Sequence, residues 1–548
     1  MFRENKLHLQ GTFITSERWM NPSVHARLIK SWASVFYNVV FCRINEAIFS
    51  KLYCVDNGRP NFPVNILLAL EYIKCLFDYS DVELVDQFYF NYQISFAIGI
   101  KNVGEINLSP GTLYEFRRKV YKYAAENPDT GDLIFTQFIE LTKEFIKESN
   151  VTVNEQRMDS TMISANIKNA GRLALAYDVI EQALKVMPKE LMTESMKEIL
   201  EDGYKSKLLY KSKGNQVISR LQEILDICGA VVSTIENIPE IADLSAMKLL
   251  KRFISEQTNI DLETGKCTVK ANKEIKATSM QSAYDEDATY RKKAKKSGKG
   301  YVVNIAETCN ENNDVQFITD YDVKPNAASD TGFAEERLPE IKLNFDEVTD
   351  VYVDGGYCST DVSNVAASND ISMHYTDMTG KKTDDGMISV NEFELNEDKS
   401  VKQCPAGFEP CYTSYDPEKD KINSHFAKEI CDACEFKDKC CIVEQVKANK
   451  FSTTGAAIEL QNIREEIKEE RKENTSKRAA IEGTNSELKR AHGLDDVKVR
   501  SIVKVSITTG LKITACNFKR FAKNALEKLA KNPALPNHNK NQGIAMQF

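Results

Sequence analysis

Val151-Thr152-Val153-Asn154-Glu155-Gln156-Arg157-Met158 reads as a strand running into Asp159-Ser160-Thr161, and the fold turns on what comes back to lie beside it. Its β-branched residues suit a pleated, half-buried surface. Sheet character returns at Gly300-Tyr301-Val302-Val303-Asn304-Ile305 and at Val315-Gln316-Phe317-Ile318-Thr319. A helix is predicted over 332–342, after which Val351-Tyr352-Val353 forms a short strand stopping at Asp354-Gly355-Gly356-Tyr357. Strands separated by helical and irregular insertions predict a mixed α/β core.

Outward from that core, residues 1–125 read as helical. Pro63 precedes Asn65-Ile66-Leu67-Leu68-Ala69-Leu70, Ser80-Asp81 can cap a second helix, and Ser109-Pro110 can open a third. In the third, Leu113, Phe116 and Val120 recur at helical spacing, with Arg117-Arg118-Lys119 read as exposed beside them. Two readings stand for this region: a DNA reader of helix-turn-helix character, or a helical packing or dimerisation domain. The core is expected over 150–169 and 280–380, interrupted by a helical insertion at 170–279. A loop-rich, cysteine-containing insertion follows at 381–450. Helices at about 456–492 and 499–531 close the fold within a C-terminal part spanning 451–531, and the Pro/Asn-rich tail, 532–548, is expected to be mobile.

The chain has 548 residues, 42% hydrophobic and 28% charged, which excludes global disorder and fibrous character and leaves material for three or four structural units. Its longest aliphatic runs, such as Ile66-Leu67-Leu68-Ala69-Leu70, are too short to cross a bilayer. The opening Met1-Phe2-Arg3-Glu4-Asn5 lacks the apolar stretch of a secretion signal. Fourteen cysteines are too sparse for a disulfide scaffold and are expected to be thiols or metal ligands in a cytoplasmic protein. The net charge of −8 is uneven: residues 1–125 carry 14 Lys/Arg against 11 Asp/Glu, residues 442–540 carry 20 against 12, and the middle is strongly acidic. Basic ends suit a polyanion partner; on charge alone, solvated helix faces of differing charge are the simpler account.

Three acidic residues stand where a catalytic carboxylate would be held. Asp159 and Asp354 each end an apolar strand, so neighbouring strands could bring them side by side, and a divalent cation is a natural reason for such a pair. A lone strand-end Asp is more commonly a turn former. Glu482 lies in Arg478-Ala479-Ala480-Ile481-Glu482-Gly483-Thr484-Asn485-Ser486-Glu487-Leu488-Lys489, where Arg478, Glu482 and Lys489 fall on nearly one helical stripe. Alone, that stripe reads as a salt-bridged helix face. Asp320, Asp322 and Asp330 read as caps near a strand end and a helix start. No Gly-rich phosphate loop with its Lys is present, so nothing points to ATP.

Asp159-Ser160-Thr161, Asp354-Gly355-Gly356-Tyr357 and Arg478-x3-Glu482-x6-Lys489, in that order, resemble the signature of bacterial insertion-sequence DDE transposases, cut-and-paste enzymes with an RNase H-like core. Gly58-Arg59-Pro60-Asn61-Phe62-Pro63 resembles the family's N-terminal domain, and Asn517-Phe518-Lys519-Arg520 the end of its last core helix. The third motif of that family usually begins with a Tyr three residues before the Arg; here Thr475 stands there. The resemblance implies that Asp159, Asp354 and Glu482 bind two Mg²⁺ or Mn²⁺ ions, and that Arg478 and Lys489 orient phosphates. It further implies excision and insertion of an element at its terminal inverted repeats, with double-stranded DNA as partner and a homodimer bringing two ends together. The alternatives are a transposase-derived DNA-binding protein without catalysis and a metal-dependent nuclease lacking strand transfer.

Cys404-Pro405, Cys411, Cys431-Asp432-Ala433-Cys434 and Cys440-Cys441 cluster within the second insertion. Cys431-x2-Cys434 has zinc-knuckle spacing, and Cys404 with Cys440 could complete a structural Zn²⁺ site; reduced structural thiols are the equal alternative.

Overall fold

The computed structural model describes residues 1–11, 15–55, 58–167, 170–210, 214–260, 267–293, 296–376 and 386–531; the tail at 532–548 lies outside the described residues. Helix and strand are mixed, as the strand spacing predicted. The central sheet is built from β1 (Glu155–Ser164), β2 (Thr289–Lys293), β3 (Lys296–Thr308), β4 (Ile318–Pro325), β5 (Asp350–Val353) and β6 (Ser372–Tyr375). Its order is β2-β3-β1-β5-β6, with β4 also paired to β3. β3 runs antiparallel to β1, β2 and β4, whereas β5 and β6 continue from β1 in parallel. Central position explains composition: Tyr301, Val302, Val303, Ile305 and Ala306 of β3 are all fully buried, as expected for a strand covered on both faces.

Strand boundaries differ from the sequence reading, most of all in β1 and β4. β1 begins at Glu155 and runs past Asp159 to Ser164, because β3 goes on pairing with it as far as Ser164↔Gly300. β4 begins at Ile318 and extends to Pro325, again held by β3. In both cases a cross-strand partner, invisible locally, sets the end.

The N-terminal helices form where the caps predicted them. Val64–Phe77 follows Pro63, Ser80 caps Asp81–Phe90 in a capping box with Glu83, and Ser109 caps Pro110–Glu126 with Pro110 in its first turn. These helices and Leu133–Ser149 share one core with the closing helix, Ile502–Lys531: Phe36 meets Phe518 edge-on at 5.0 Å and Phe145 stacks on Phe521 at 5.1 Å. Of the basic triplet only Arg118 is exposed. Arg117 is largely buried, bonded to Glu71 at 2.7 Å and to both oxygens of Asp81 at 2.9 and 2.7 Å. Burial raises the Asp81 carboxyl, but the bonds from Arg117 and Lys74 outweigh it and hold it at about 2. Arg118 makes an exposed pair with Glu115 of its own helix, whereas Lys119 lies over the Tyr53 ring, so packing consumes the charge of Arg117 and covers Lys119 in part.

Between β1 and β2, the helices Arg172–Val186, Val217–Ile235 and Ser245–Gln257 bury a core of their own around Ile180, Leu225 and Phe253. The cysteine segment is more ordered than a loop: Tyr412–Asp416, Lys421–Ala427 and Ala448–Thr454 make a three-stranded antiparallel sheet over Phe393, Phe426 and Phe451. Among the described residues no helix is long and apolar enough to cross a membrane, and all fourteen cysteines are free.

Candidate active site

Asp159 sits where the pairing of β1 changes. Parallel pairing with β5 ends at Arg157↔Tyr352, while antiparallel pairing with β3 continues through Asp159↔Ile305. β5 itself stops at Val353, so Asp354 emerges beside Asp159 just past the point where the parallel pairing of the two strands ends, a position at which open sheets form a crevice. The Asp354 carboxylate accepts from the Gly356 backbone N–H at 2.8 Å, fixing the turn Gly355–Tyr357. Gly356 is needed there: a Cβ would lie 2.9 Å from Asp354 Oδ1 and 3.1 Å from Asp330 Oδ2.

Glu482 comes from the helix Ile481–Ala491, laid against β1. Arg478, one turn earlier in the preceding helix Gly455–Ala479, joins all three carboxylates. Its guanidinium lies 3.0 Å from Asp159 Oδ1, 3.7 Å from Asp354 Oδ2 and 3.1 Å from Glu482 Oε1. Asn485 donates to the second Asp159 oxygen at 2.9 Å. The Glu482 helix is anchored from below, where the Thr484 hydroxyl donates to Glu307 at 2.7 Å; buried Glu307 is also paired with Arg157 and Arg520.

Three carboxylates gathered this closely repel one another unless a cation lies among them. Burial works against the charge of Arg478, but Asp159, Asp354 and Glu482 outweigh it and hold the guanidinium above its usual value. The Arg478 Nε and the Asn485 Oδ1 are buried with no hydrogen-bond partner among the described residues. Carboxylate oxygens suit hard divalent cations in kind, but here Arg478 stands between them and the three do not bring their oxygens within 4.8 Å of one another. Exposure rises from nearly buried Asp159 to Glu482, whose side chain is 67% exposed, so the site opens outward.

Lys489 stands apart from this cluster. The predicted stripe is interrupted at Ala480, between the two helices, and the Lys489 ammonium donates to the Met162 carbonyl at 2.7 Å and pairs with Asp495 at 3.3 Å. It thus lies farther along β1, beside a cleft rather than among the carboxylates. Thr475 is exposed.

Three residues at or beside this site escaped the sequence reading. Asn485 carried a signal, since it follows Glu482 by three positions on the same helix face. Asp330 was read as a cap, but the cap is Ser329, whose hydroxyl accepts from Gly332; Asp330 instead accepts from the Ser160 hydroxyl at 2.5 Å. The Tyr357 hydroxyl is pushed well above its usual value, by burial first and then by Asp159, Asp330 and Asp354, which places Asp330 among the site's carboxylates. Arg291 was hidden in a segment read as acidic overall. Asp320 is not a cap either: it is buried within β4, where both its oxygens bond Arg337.

Cys404, Cys431, Cys434 and Cys440 line one cavity of about 80 Å³. The Cys441 side chain hydrogen-bonds Cys440 and lowers its thiol below the usual value. Four thiols suit Zn²⁺ in kind, although no three of them bring their sulfurs within 4.8 Å of one another.

A family model described as "Transposase DDE domain" matches residues 403–522, and one described as "Transposase domain (DUF772)" matches residues 32–119. The first span includes the four cavity cysteines, Arg478, Glu482, Lys489 and Arg520, but neither Asp159 nor Asp354. No curated protein and no solved structure was found to match the chain.

Proposed function

We propose that this chain, which its two family matches indicate to be an insertion-sequence DDE transposase, cuts and joins DNA at a centre made by Asp159, Asp354 and Glu482. The observation that carries the reading is the convergence of these three carboxylates, from two parallel strands and one helix, on the single guanidinium of Arg478. The strand order supports an RNase H-like core: three antiparallel strands continue into two parallel ones, with the acidic crevice where the parallel pair ends.

Asp159, Asp354 and Glu482 would hold two Mg²⁺ or Mn²⁺ ions, which when bound activate a water or 3′-hydroxyl and stabilise the leaving oxygen of an in-line displacement. The chain's own groups do the rest. Asn485 orients the Asp159 carboxylate, Gly356 lets the Asp354 turn close, and Glu307 seats the helix that presents Glu482. Arg478 and Lys489 supply positive charge for phosphates near the cut. The partners are the terminal inverted repeats and a target duplex, held by a homodimer because two ends must meet. The decisive experiment incubates the protein with Mg²⁺, labelled DNA carrying the element's ends, and a target plasmid. Free 3′-hydroxyl ends followed by label joined to plasmid is the expected result. Cut ends with no joined product would leave a nuclease, and end binding without cutting would leave a DNA-binding protein.

The cysteine cavity is read as a structural zinc site held by Cys404, Cys431, Cys434 and Cys440. Elemental analysis should return about one zinc per chain, lost in Cys431→Ser/Cys434→Ser together with a lower unfolding temperature. Full stability at no zinc content would assign the thiols to packing alone.

A further inference from the structure

The acidic middle of the chain carries a basic hairpin. β2 holds Arg291, Lys292 and Lys293, and β3 opens with Lys296 and Lys299, in register Arg291↔Gly298 and Lys292↔Ser297. Arg291 reaches from this hairpin back to the carboxylate centre. One of its terminal nitrogens lies 3.6 Å from Asp330 Oδ2, and the other donates to the Ala328 carbonyl at 3.4 Å. Asp330 in turn holds the Ser160 hydroxyl with its other oxygen, and it crowds the same face of Gly356 as Asp354. A short relay, Ser160–Asp330–Arg291, therefore links the residue next to Asp159 with the hairpin.

The relay ends in space. A cleft of about 660 Å³ lies along β1 beyond the carboxylates, with Ser160, Ser164, Arg291, Gly298, Asn326 and Lys489 among its lining residues. That volume accepts a nucleotide-sized group. Arg291 and Lys489 come to it from different elements, β2 and the Glu482 helix, and among the described residues the one carboxylate in the lining is Asp495, partner of Lys489. A guanidinium has five donors in a planar fork; Asp330 and Ala328 occupy two of its nitrogens at long range and fix its place while leaving donors for an anion.

We infer that this cleft takes the phosphodiester backbone of the DNA strand next to the cut bond, with Arg291 as a phosphate-binding residue facing Lys489 and Asp330 as the positioning residue that aims it. The inference rests on the transposase reading and deepens it, because it assigns a second phosphate contact from outside the Arg478–Lys489 motif. Gly298 belongs to the same wall: a Cβ there meets only Asn326, at 3.9 Å, so a side chain can be added with little strain and would project into the strand's path.

The test measures binding of a labelled duplex carrying one end of the element, in EDTA, across a salt series. Arg291→Ala should weaken binding about tenfold and reduce the slope of log Kd against log salt by about one, the signature of one lost phosphate contact. Arg291→Lys should restore the slope but not the full affinity, since the charge returns without the fork. Asp330→Asn should weaken binding in the same direction by a smaller factor. Gly298→Tyr should weaken it several-fold with an unchanged unfolding midpoint, and so reports on the cleft even where an Arg291 variant folds poorly. Unchanged affinity and slope in both Arg291→Ala and Gly298→Tyr, beside normal wild-type binding, would overturn the inference alone. Wild-type protein that does not bind the end would instead overturn the transposase reading.

Discussion

Asp159→Asn is expected to lower metal-dependent cleavage of end DNA by about 10³-fold or more while leaving end binding within about twofold. The substitution keeps the size of the side chain and one oxygen acceptor, and it removes the charge of the least exposed of the three carboxylates. Metal-assisted phosphodiester displacement draws several kcal/mol of transition-state stabilisation from its ions, and each 1.36 kcal/mol is a factor of ten in rate. The variant leaves Arg478 paired with Glu482 at 3.1 Å, so the local helix packing survives. Cleavage quantified on labelled ends, with binding measured in parallel, checks this. Cleavage within tenfold of wild type would remove Asp159 from the centre.

The second large effect is on stability. Glu307, with a side chain only 1% exposed, pairs with Arg157 at 2.8 Å, is paired with Arg520, and accepts from the Thr484 hydroxyl at 2.7 Å. Removing one member of a buried ion pair costs about 3–5 kcal/mol, because the charges left behind are desolvated without compensation. Glu307→Gln should therefore lower the urea midpoint of unfolding by about 1 M or more, taking a slope of about 3 kcal/mol/M. It should also depress cleavage, since the amide presents an N–H to Arg157 or Arg520 and displaces the side chain that accepts from Thr484, two residues from Glu482. A midpoint within about 0.3 M of wild type would show that Arg157 and Arg520 find other partners.

What could be read in advance was local. The capping residues Ser80 and Ser109 mark their helices because a cap acts within one turn, and the order Asp159, Asp354, Glu482 is carried by short motifs whose neighbours, such as Gly356, are needed by the turn itself. What could not be read depends on partners distant in sequence. The end of β1 is set by β3, more than a hundred residues on. Arg117 looks like surface charge until Glu71 and Asp81 fold against it. Asp330 looks like a cap until Ser160 turns out to be its partner, 170 residues away. Arg291 disappeared in a regional charge sum, where the abundant carboxylates of the middle segment outnumber a basic hairpin of a few residues. Alternating patterns in Tyr412–Asp416 and Lys421–Ala427 are short and polar, so the cysteine sheet resembled loop.

The shared core of the first helices and the last one has a consequence for how the protein comes into being. A ribosome adds roughly 5–20 residues per second, so the interval between completing Leu133–Ser149 and completing Ile502–Lys531 is on the order of 20 to 80 seconds. During that interval Phe36 and Phe145 lack the aromatic partners Phe518 and Phe521 that cover them in the finished chain. The nascent amino-terminal helices must wait, apolar side outward, until Ile502–Lys531 has been made. A truncated translation product would therefore lack both Glu482 and the helix that completes its opening fold, so prematurely ended chains should be unstable as well as inactive.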